Sequence, residues 1–550
     1  MMKKACIFLV MVLLCASFVF AGGQGSKSSS SEPIDYGKRT SGINYWRVKF
    51  DQPVDLRMVN WEYTEDIAPG DDVTNNEWTR ALKRDLNINV IHDWVSTQNE
   101  YYTRLNLAIA SGQLPDVFIC DNNQFLQLLE ANLIADITDY IENNVCDTVK
   151  EIMAFAPDVT ETAKRNGRLM GLPRYGYGAV SMFTEMWIRH DWSEGKTIPR
   201  TIAEYEQLMQ TFMREHPGTY GVAMEGNLDR MIQFAPAFGA YPRTWLKASN
   251  GSIVYGGVQP EMRLVLQAYA DWYRKGFLRS DFMSLTADAV REDIIAGKVG
   301  IDTGYNWWGY VYAVDLVLNH GMGAYFDCYE LPTPDGKLAT YWAPFDNDGY
   351  IVYNKNSRAI SAALKGLSYV EFHALEAVQQ KAMTLEQLRP FLRDGNANQM
   401  LKPFYVNDPR LEIIAFEQIQ EAARTKKTDH FLTPNIAAKY ETGRSWVEDG
   451  NPQGVSAYGQ TYSAKSGYAV NTPIFNEGRF IQCAMNGPIP QDVIQYGTVS
   501  SGVLNDILIE GYIKIIVGQE PISYFDTLVN AWRSAGGDVV TAAINREYRK

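Results

Sequence analysis

The residues of this sequence best suited to handle a ligand are aromatic rings and polar groups at the ends of predicted strands. They are Asn60-Trp61-Glu62, Asp121-Asn122, Tyr175 and Tyr177, Trp307-Trp308, Trp342 and Asp346. With thirteen Trp and 32 Tyr, such rings are plentiful. A sugar ring presents an apolar C–H face that stacks on an aromatic ring, while Asp, Asn and Arg take its hydroxyls, so a concave site mixing the two suits a carbohydrate. The alternative for each ring is a place in the core, and for Asp121-Asn122-Asn123 it is a helix cap at Asn122 or Asn123. Trp307-Trp308 is harder to bury whole, because neighbours in an extended chain face opposite ways.

Catalytic groupings are missing. The six histidines, His92, His190, His216, His320, His373 and His430, are scattered singly, and no HExxH, C-x-x-C, GxSxG or phosphate-loop pattern occurs. His373 and Glu376 have HxxE spacing, which on one helix reads as a surface pair. The pairs Glu65-Asp66, Asp71-Asp72 and Asp346-Asp348 could serve a glycosidase, but among 64 acidic residues adjacency decides nothing.

The elements that must position these residues follow from periodicity. "YWRVKFDQPVDLRMVNW" reads as a strand or hairpin ending at Asn60 and Trp61, "NNEWTRALKRDLN" as an Asn-capped helix and "INVIHDWV" as a strand. In "EYYTRLNLAIASG", Tyr101, Tyr102, Leu105, Ala108 and Ile109 form one helical stripe that Gly112 caps and Pro115 prevents from continuing. "VFIC" is the next strand, and "NQFLQLLEANLIADITDYIE" the next helix. This alternation predicts parallel strands with helices on both faces and ligands beyond the carboxyl ends of the strands. Past Asp191 a second domain begins, with helices opened by Thr201 and closed by Pro217 and Gly276. A strand precedes Tyr305-Asn306-Trp307-Trp308, a helix follows it, and "DGYIVYNKNSR" supplies another strand.

At 550 residues and 46% hydrophobic, the chain is too long for one core. A net charge of -13 with no basic run argues against a nucleic-acid partner. Residues 1–21 carry Lys3 and Lys4, an apolar stretch and Val19-Phe20-Ala21, an export signal cleaved after Ala21. A retained anchor helix is the alternative, although Ala5 to Ala21 is short of the ~20 residues that span a bilayer. Lipidation at Cys15 is a third reading, weakened by Leu14 where a small residue is wanted. Residues 22–43 are a disordered Gly/Ser-rich tether. Cys120, Cys146, Cys328 and Cys483 remain, as buried thiols or as disulfides.

Several stretches together resemble the extracellular solute-binding proteins of family 1, the substrate receptors of ABC importers. "LNLAIASGQLPDVFICDNNQFLQLLEANLIADITDYIE" is similar to their helix ending in Ser-Gly-x-x-Pro-Asp before a strand. "NGRLMGLPRYGYGAVSMFTEMWIRHDW", "TIPRTIAEYEQLMQTF" and "IIAGKVGIDTGYNWW" follow in the family's order, and "IEGYIKIIVGQEPISYFDTLVNAWRSAGGDVVTAAINREY" resembles the end of its large oligosaccharide-receptor branch.

The resemblance implies an α/β, two-lobed periplasmic-binding-protein fold of type II, its lobes joined by crossover strands around a central cleft. Residues 44–182 and 301–350 would form the N-terminal lobe, and 183–300 and 351–550 the C-terminal lobe. Crossings would fall around Val180 to Ile188 and Gly300 to Trp307. Arg189, Asp191 and Trp192 would be scaffold. It further implies a monomer without cofactor or enzymatic activity that captures an oligosaccharide and delivers it to membrane permease subunits. Such a protein is exported, periplasmic or attached to the outer face of the cytoplasmic membrane. "REHPGTYGVAM" lacks the acidic ligands of a calcium loop that some members carry, and no metal site is expected. The usual lipobox is also missing, which favours a soluble periplasmic form. A secreted carbohydrate-active enzyme and a sensory receptor on the same fold are the competing readings.

Overall fold

Val54–Trp61 and Ile88–Ser96 pair in parallel, and Met58 touches the next parallel strand, Val117–Cys120, through Val117. The computed structural model describes residues 45–549 apart from 64–66, 68, 345–346, 392–400, 486–489 and 497–501. The expected export signal and tether, and Asp346, lie outside the described residues. Among those described, no helix is long and apolar enough to cross a membrane.

The first sheet runs, in spatial order, Ile88–Ser96, Val54–Trp61, Val117–Cys120, Asn347–Tyr353 and Leu172–Tyr175. Four strands point one way; Asn347–Tyr353 runs against both of its neighbours. The all-parallel expectation is thereby corrected. Gly349 to Tyr353 are all buried, as a near-continuous apolar run at the middle of a sheet should be. Pro173, which has no N–H to give a ladder, sits in the edge strand. The expected helix over 123–142 is two, Asn122–Glu130 and Thr138–Asn144. Asn132 breaks it at φ 52°, and the Ala135 N–H then donates to Tyr353 O at 2.7 Å, tying the break to the sheet.

The second sheet has Thr184–Arg189 at its centre, flanked antiparallel by Ile301–Tyr305 and Phe326–Tyr329. Around it pack the helices Ile202–Glu215 and Met262–Arg274 and the terminal helices Val503–Ile516, Tyr524–Trp532 and Asp538–Tyr548, sharing one core that includes Tyr205, Met209, Trp272, Tyr512 and Trp532. A further helical group centred on Leu411–Thr425 and Pro434–Asp449 closes its own core of Ile419, Phe431, Ile436 and Tyr440.

These pairings correct the expected lobe boundaries. Ile301–Tyr305 belongs to the second sheet, not with the first lobe. Conversely, Ile360–Glu371 packs with the first: Tyr369 Oη donates to Asp85 at 2.5 Å and Ser368 Oγ accepts from the Cys146 N–H at 2.9 Å. The first crossing lies over 176–183, between Tyr175 and Thr184, and the return to the first sheet falls between Tyr329 and Asn347. His373 and Glu376, read as a surface pair, are both buried and bond elsewhere, His373 Nδ1 to Tyr369 O at 2.6 Å and Glu376 to the Thr148 N–H at 2.9 Å. All four cysteines in the described residues are free.

Candidate ligand-binding site

The end of strand Val54–Trp61 delivers Trp61 half-buried, its ring meeting Tyr101 edge to face at 5.0 Å and 89°. Tyr101 is fixed from behind, donating to Ile119 O at 3.0 Å. Asn60 turns inward, 5% exposed, and its Oδ1 accepts the Trp61 N–H at 2.9 Å. Glu62 is exposed. Of the three, Trp61 and Glu62 are available to a ligand; Asn60 serves the strand end.

Asp121 is the N-cap of Asn122–Glu130, accepting from the Gln124 N–H at 2.7 Å while Gln124 returns a bond to the Asp121 N–H. The cap is thus one residue earlier than expected. Asp121 stays only half-buried, as does Asn122, whose Oδ1 accepts from Asn347 at 3.4 Å. Between them, Gly349 adopts φ 100°, and a Cβ there would lie 2.4 Å from Cys120 O, so only glycine lets the antiparallel strand bend past this strand end.

Tyr175, expected at the site, is a core residue, 1% exposed, with its hydroxyl shared with Thr160 at 2.7 Å, which leaves no face for a ligand. Its neighbour Arg174 faces the other way. That guanidinium lies 5.9 Å from the Trp61 ring centroid and 5.0 Å from that of Tyr405, and donates to Tyr405 Oη at 3.0 Å. Tyr177 is 62% exposed, with Tyr405, Asp348 and Glu412 in electrostatic reach; desolvation chiefly pushes its hydroxyl up. Asp348 is itself exposed, yet desolvation by the surrounding protein raises its carboxyl, with Arg174 pulling it down. Trp61, Arg174, Tyr177, Asp348 and Tyr405 thus make one aromatic and charged wall, and Asp121 shares with Arg174 and Asp348 the electrostatic reach of Tyr102.

On the second sheet, Ile301–Tyr305 ends in a turn that stacks Trp307 on Tyr305 at 4.6 Å and 14°. Trp308 turns away, as expected of neighbours but through a helix start and not an extended chain. It covers Gly304, where a Cβ would meet its ring at 2.4 Å, and lies over Arg230 at 5.1 Å. Beside Tyr305 are Arg243 and Asp229, an ion pair on the rim of a cavity of about 610 Å³ that Asn227, Asp506 and Glu510 also line. Trp342 is half-buried on a small parallel pair, Tyr341–Ala343 with Phe480–Gln482.

The helix Gly467–Asn476 touches both the crossover and this turn. Tyr468 Oη lies 3.2 Å from Ser181 Oγ, Asn471 donates to Val180 O at 2.8 Å, and a Cβ on Gly467 would come 2.5 Å from Asn306 O. Arg189, Asp191 and Trp192 are scaffold, the buried guanidinium bonded to Asp191 and 4.8 Å from the Trp192 ring.

No motif in the sequence marks Arg174, Tyr405 or Arg243, while Tyr305 and Asp348 stand out there only as a strand end and as half of a carboxylate pair. Strand alternation was a usable signal for Arg174 once Tyr175 faced inward. Nothing local marks Tyr405.

A model of the bacterial extracellular solute-binding protein family matches residues 77–373, over half of the sequence. The chain belongs to this family. Among curated proteins, it is 24% identical over 373 residues to the polygalacturonan/rhamnogalacturonan-binding protein YtcQ of Bacillus subtilis, covering 65% of this chain and 68% of that one. It is 25% identical over 249 residues to the fructooligosaccharide ABC transporter substrate-binding protein FusA of Streptococcus pneumoniae, covering 42% and 44%. Among solved structures, the HMO binding ABC-transporter associated solute-binding protein of Bifidobacterium longum infantis aligns with TM-score 0.58 at 13% identity, over 90% of this chain and all of that one. FusA in complex with kestose aligns with TM-score 0.52 at 13% identity, over 90% and 98%. The structural likeness is one of fold, and the fold is this family's mixed α/β, two-lobed one.

Proposed function

We propose that this solute-binding protein is an exported receptor that captures an oligosaccharide between its lobes and delivers it to the permease of an ABC importer. The observation that carries the reading is the pair of aromatic platforms at strand ends of the two sheets: Trp61 beside Arg174 and Tyr405 on one, and Trp307 stacked on Tyr305 on the other. Rings presented with charged groups around them suit the alternating apolar faces and hydroxyls of a glycan. The relatives' names, which concern pectic polymers and fructooligosaccharides, support the same class. Closure about the 176–183 crossover would give the permease a changed surface to read.

Titrating the purified protein with a panel of oligosaccharides, following tryptophan fluorescence, tests this. Saturable quenching or enhancement by at least one glycan, with no product released on prolonged incubation, is the expected result. A response to peptides and to no glycan would overturn the carbohydrate half, and released product would turn the reading toward a carbohydrate-active enzyme.

A further inference from the structure

We propose that the sugar unit seated beside Trp61 is uncharged, and that Arg174 and Asp348 select it as a donor and acceptor for adjacent hydroxyls while turning a carboxylate away. The proposal rests on the oligosaccharide reading above and names the chemical class of its ligand.

Arg174 is 8% exposed, and its buried Nε has no hydrogen-bond partner among the described residues. A guanidinium donor left open in a buried place is costly, and an acceptor brought by a ligand would relieve that cost. The group is oriented for the task by Tyr405, which takes one Nη2 proton at 3.0 Å and stacks on the guanidinium face, while Trp61 lies on another side. No carboxylate among the described residues pairs with it. Asp348, on the neighbouring strand Asn347–Tyr353, is solvent-accessible and within electrostatic reach of it without forming an ion pair. The wall therefore holds an open donor and an open acceptor beside an aromatic face. A vicinal diol answers both: one hydroxyl oxygen accepts from Arg174, the neighbouring hydroxyl donates to Asp348, and the C–H face of the ring rests on Trp61.

A ligand carboxylate in the same place would gain Arg174 but face Asp348, which would repel it. The other wall offers no compensation. Arg243 is already paired with Asp229, Lys514 with Glu510 at 2.7 Å, and Asp506 adds a further negative charge to that cavity.

Calorimetric titration of the whole protein decides the matter, using neutral tetrasaccharides of galactose, glucose and fructose against tetragalacturonate at low ionic strength. The wild type should prefer a neutral glycan. Asp348→Asn, an isosteric change at an exposed position, should lower affinity for that glycan by about tenfold, the worth of one hydrogen bond to a charged group, and should raise affinity for tetragalacturonate. Arg174→Gln should weaken both. Tighter wild-type binding of tetragalacturonate than of every neutral glycan, or an unchanged neutral-to-acidic ratio in Asp348→Asn, overturns the proposal and leaves the oligosaccharide reading standing. No binding of any glycan removes both.

Discussion

Arg230 lies under Trp308, its guanidinium 5.1 Å from the ring centroid, while Glu225 and Asp302 hold it on other sides. Asp302 also accepts from Tyr312 Oη at 2.8 Å, and all three charged side chains are at most 2% exposed. Both tryptophans are half-buried, but Trp308 packs over this buried polar network and Gly304, while Trp307, one residue earlier, stacks on Tyr305 at the strand end. The two positions should separate cleanly. Trp308→Ala should cost stability in urea unfolding, about 2–3 kcal/mol, less than the loss of a fully buried ring because Trp308 is half-buried. Trp307→Ala should cost little stability and weaken glycan affinity by about 1–3 kcal/mol, taking base stacking on aromatics as a guide. The reverse pattern would exchange their roles.

Breaking the network itself should be worse than emptying the ring position. Arg230→Met leaves Glu225 and Asp302 buried without their cation, and the expected loss is about 3–5 kcal/mol. A melting temperature within a degree or two of wild type would show that water reaches these carboxylates.

Asp121 serves its helix through its shape, and an amide has the same shape. Asp121→Asn should keep stability within a few tenths of a kcal/mol, whereas Asp121→Ala should lose about 1 kcal/mol. Chemical denaturation of the two variants side by side measures this. An equal loss in both would mean that the charge, and not the cap, is what the fold uses.

Two buried groups set opposite pH slopes. Burial raises Glu185 well above its ordinary 4.5, so the folded protein holds a proton that the unfolded chain releases. Its contribution is full below pH 4.5 and drains as pH rises toward the folded pKa, at about 1.4 kcal/mol per pH unit. Burial lowers His373 from 6.5 to about 4, so the stability it sustains is full above pH 6.5 and is lost as pH falls toward 4. Urea unfolding across this range should show Glu185→Gln losing less stability than wild type as pH rises above 4.5, and His373→Gln losing less as pH falls below 6.5. Parallel curves for wild type and either variant would rule out that group's part.

Periodicity made the elements legible but not their partners. The helix stripe of Tyr101 and Leu105, the αL cap at Gly112 and the strand ending at Trp61 are local patterns, and the structure has them. Ile301–Tyr305 reads IDTGY, a short strand whose residues do not say which sheet accepts it, and only its pairing with Thr184–Arg189 decides. A strand leaves open which of two neighbours faces inward, and at Tyr175 the Thr160 hydroxyl settles it. Tyr405 lies 231 residues from the arginine it orients, a separation that no local pattern bridges.

The four free cysteines carry a practical consequence. Burial pushes the thiols of Cys120, Cys146 and Cys328 up, which withholds the thiolate that reacts with maleimides, and leaves Cys483 as the accessible one of the four. Changing Cys483 to Ser frees the surface for one chosen attachment point. A dye placed on Tyr177→Cys, at the mouth of the crossover, would then turn this receptor into a reagent-free optical gauge of its own ligand.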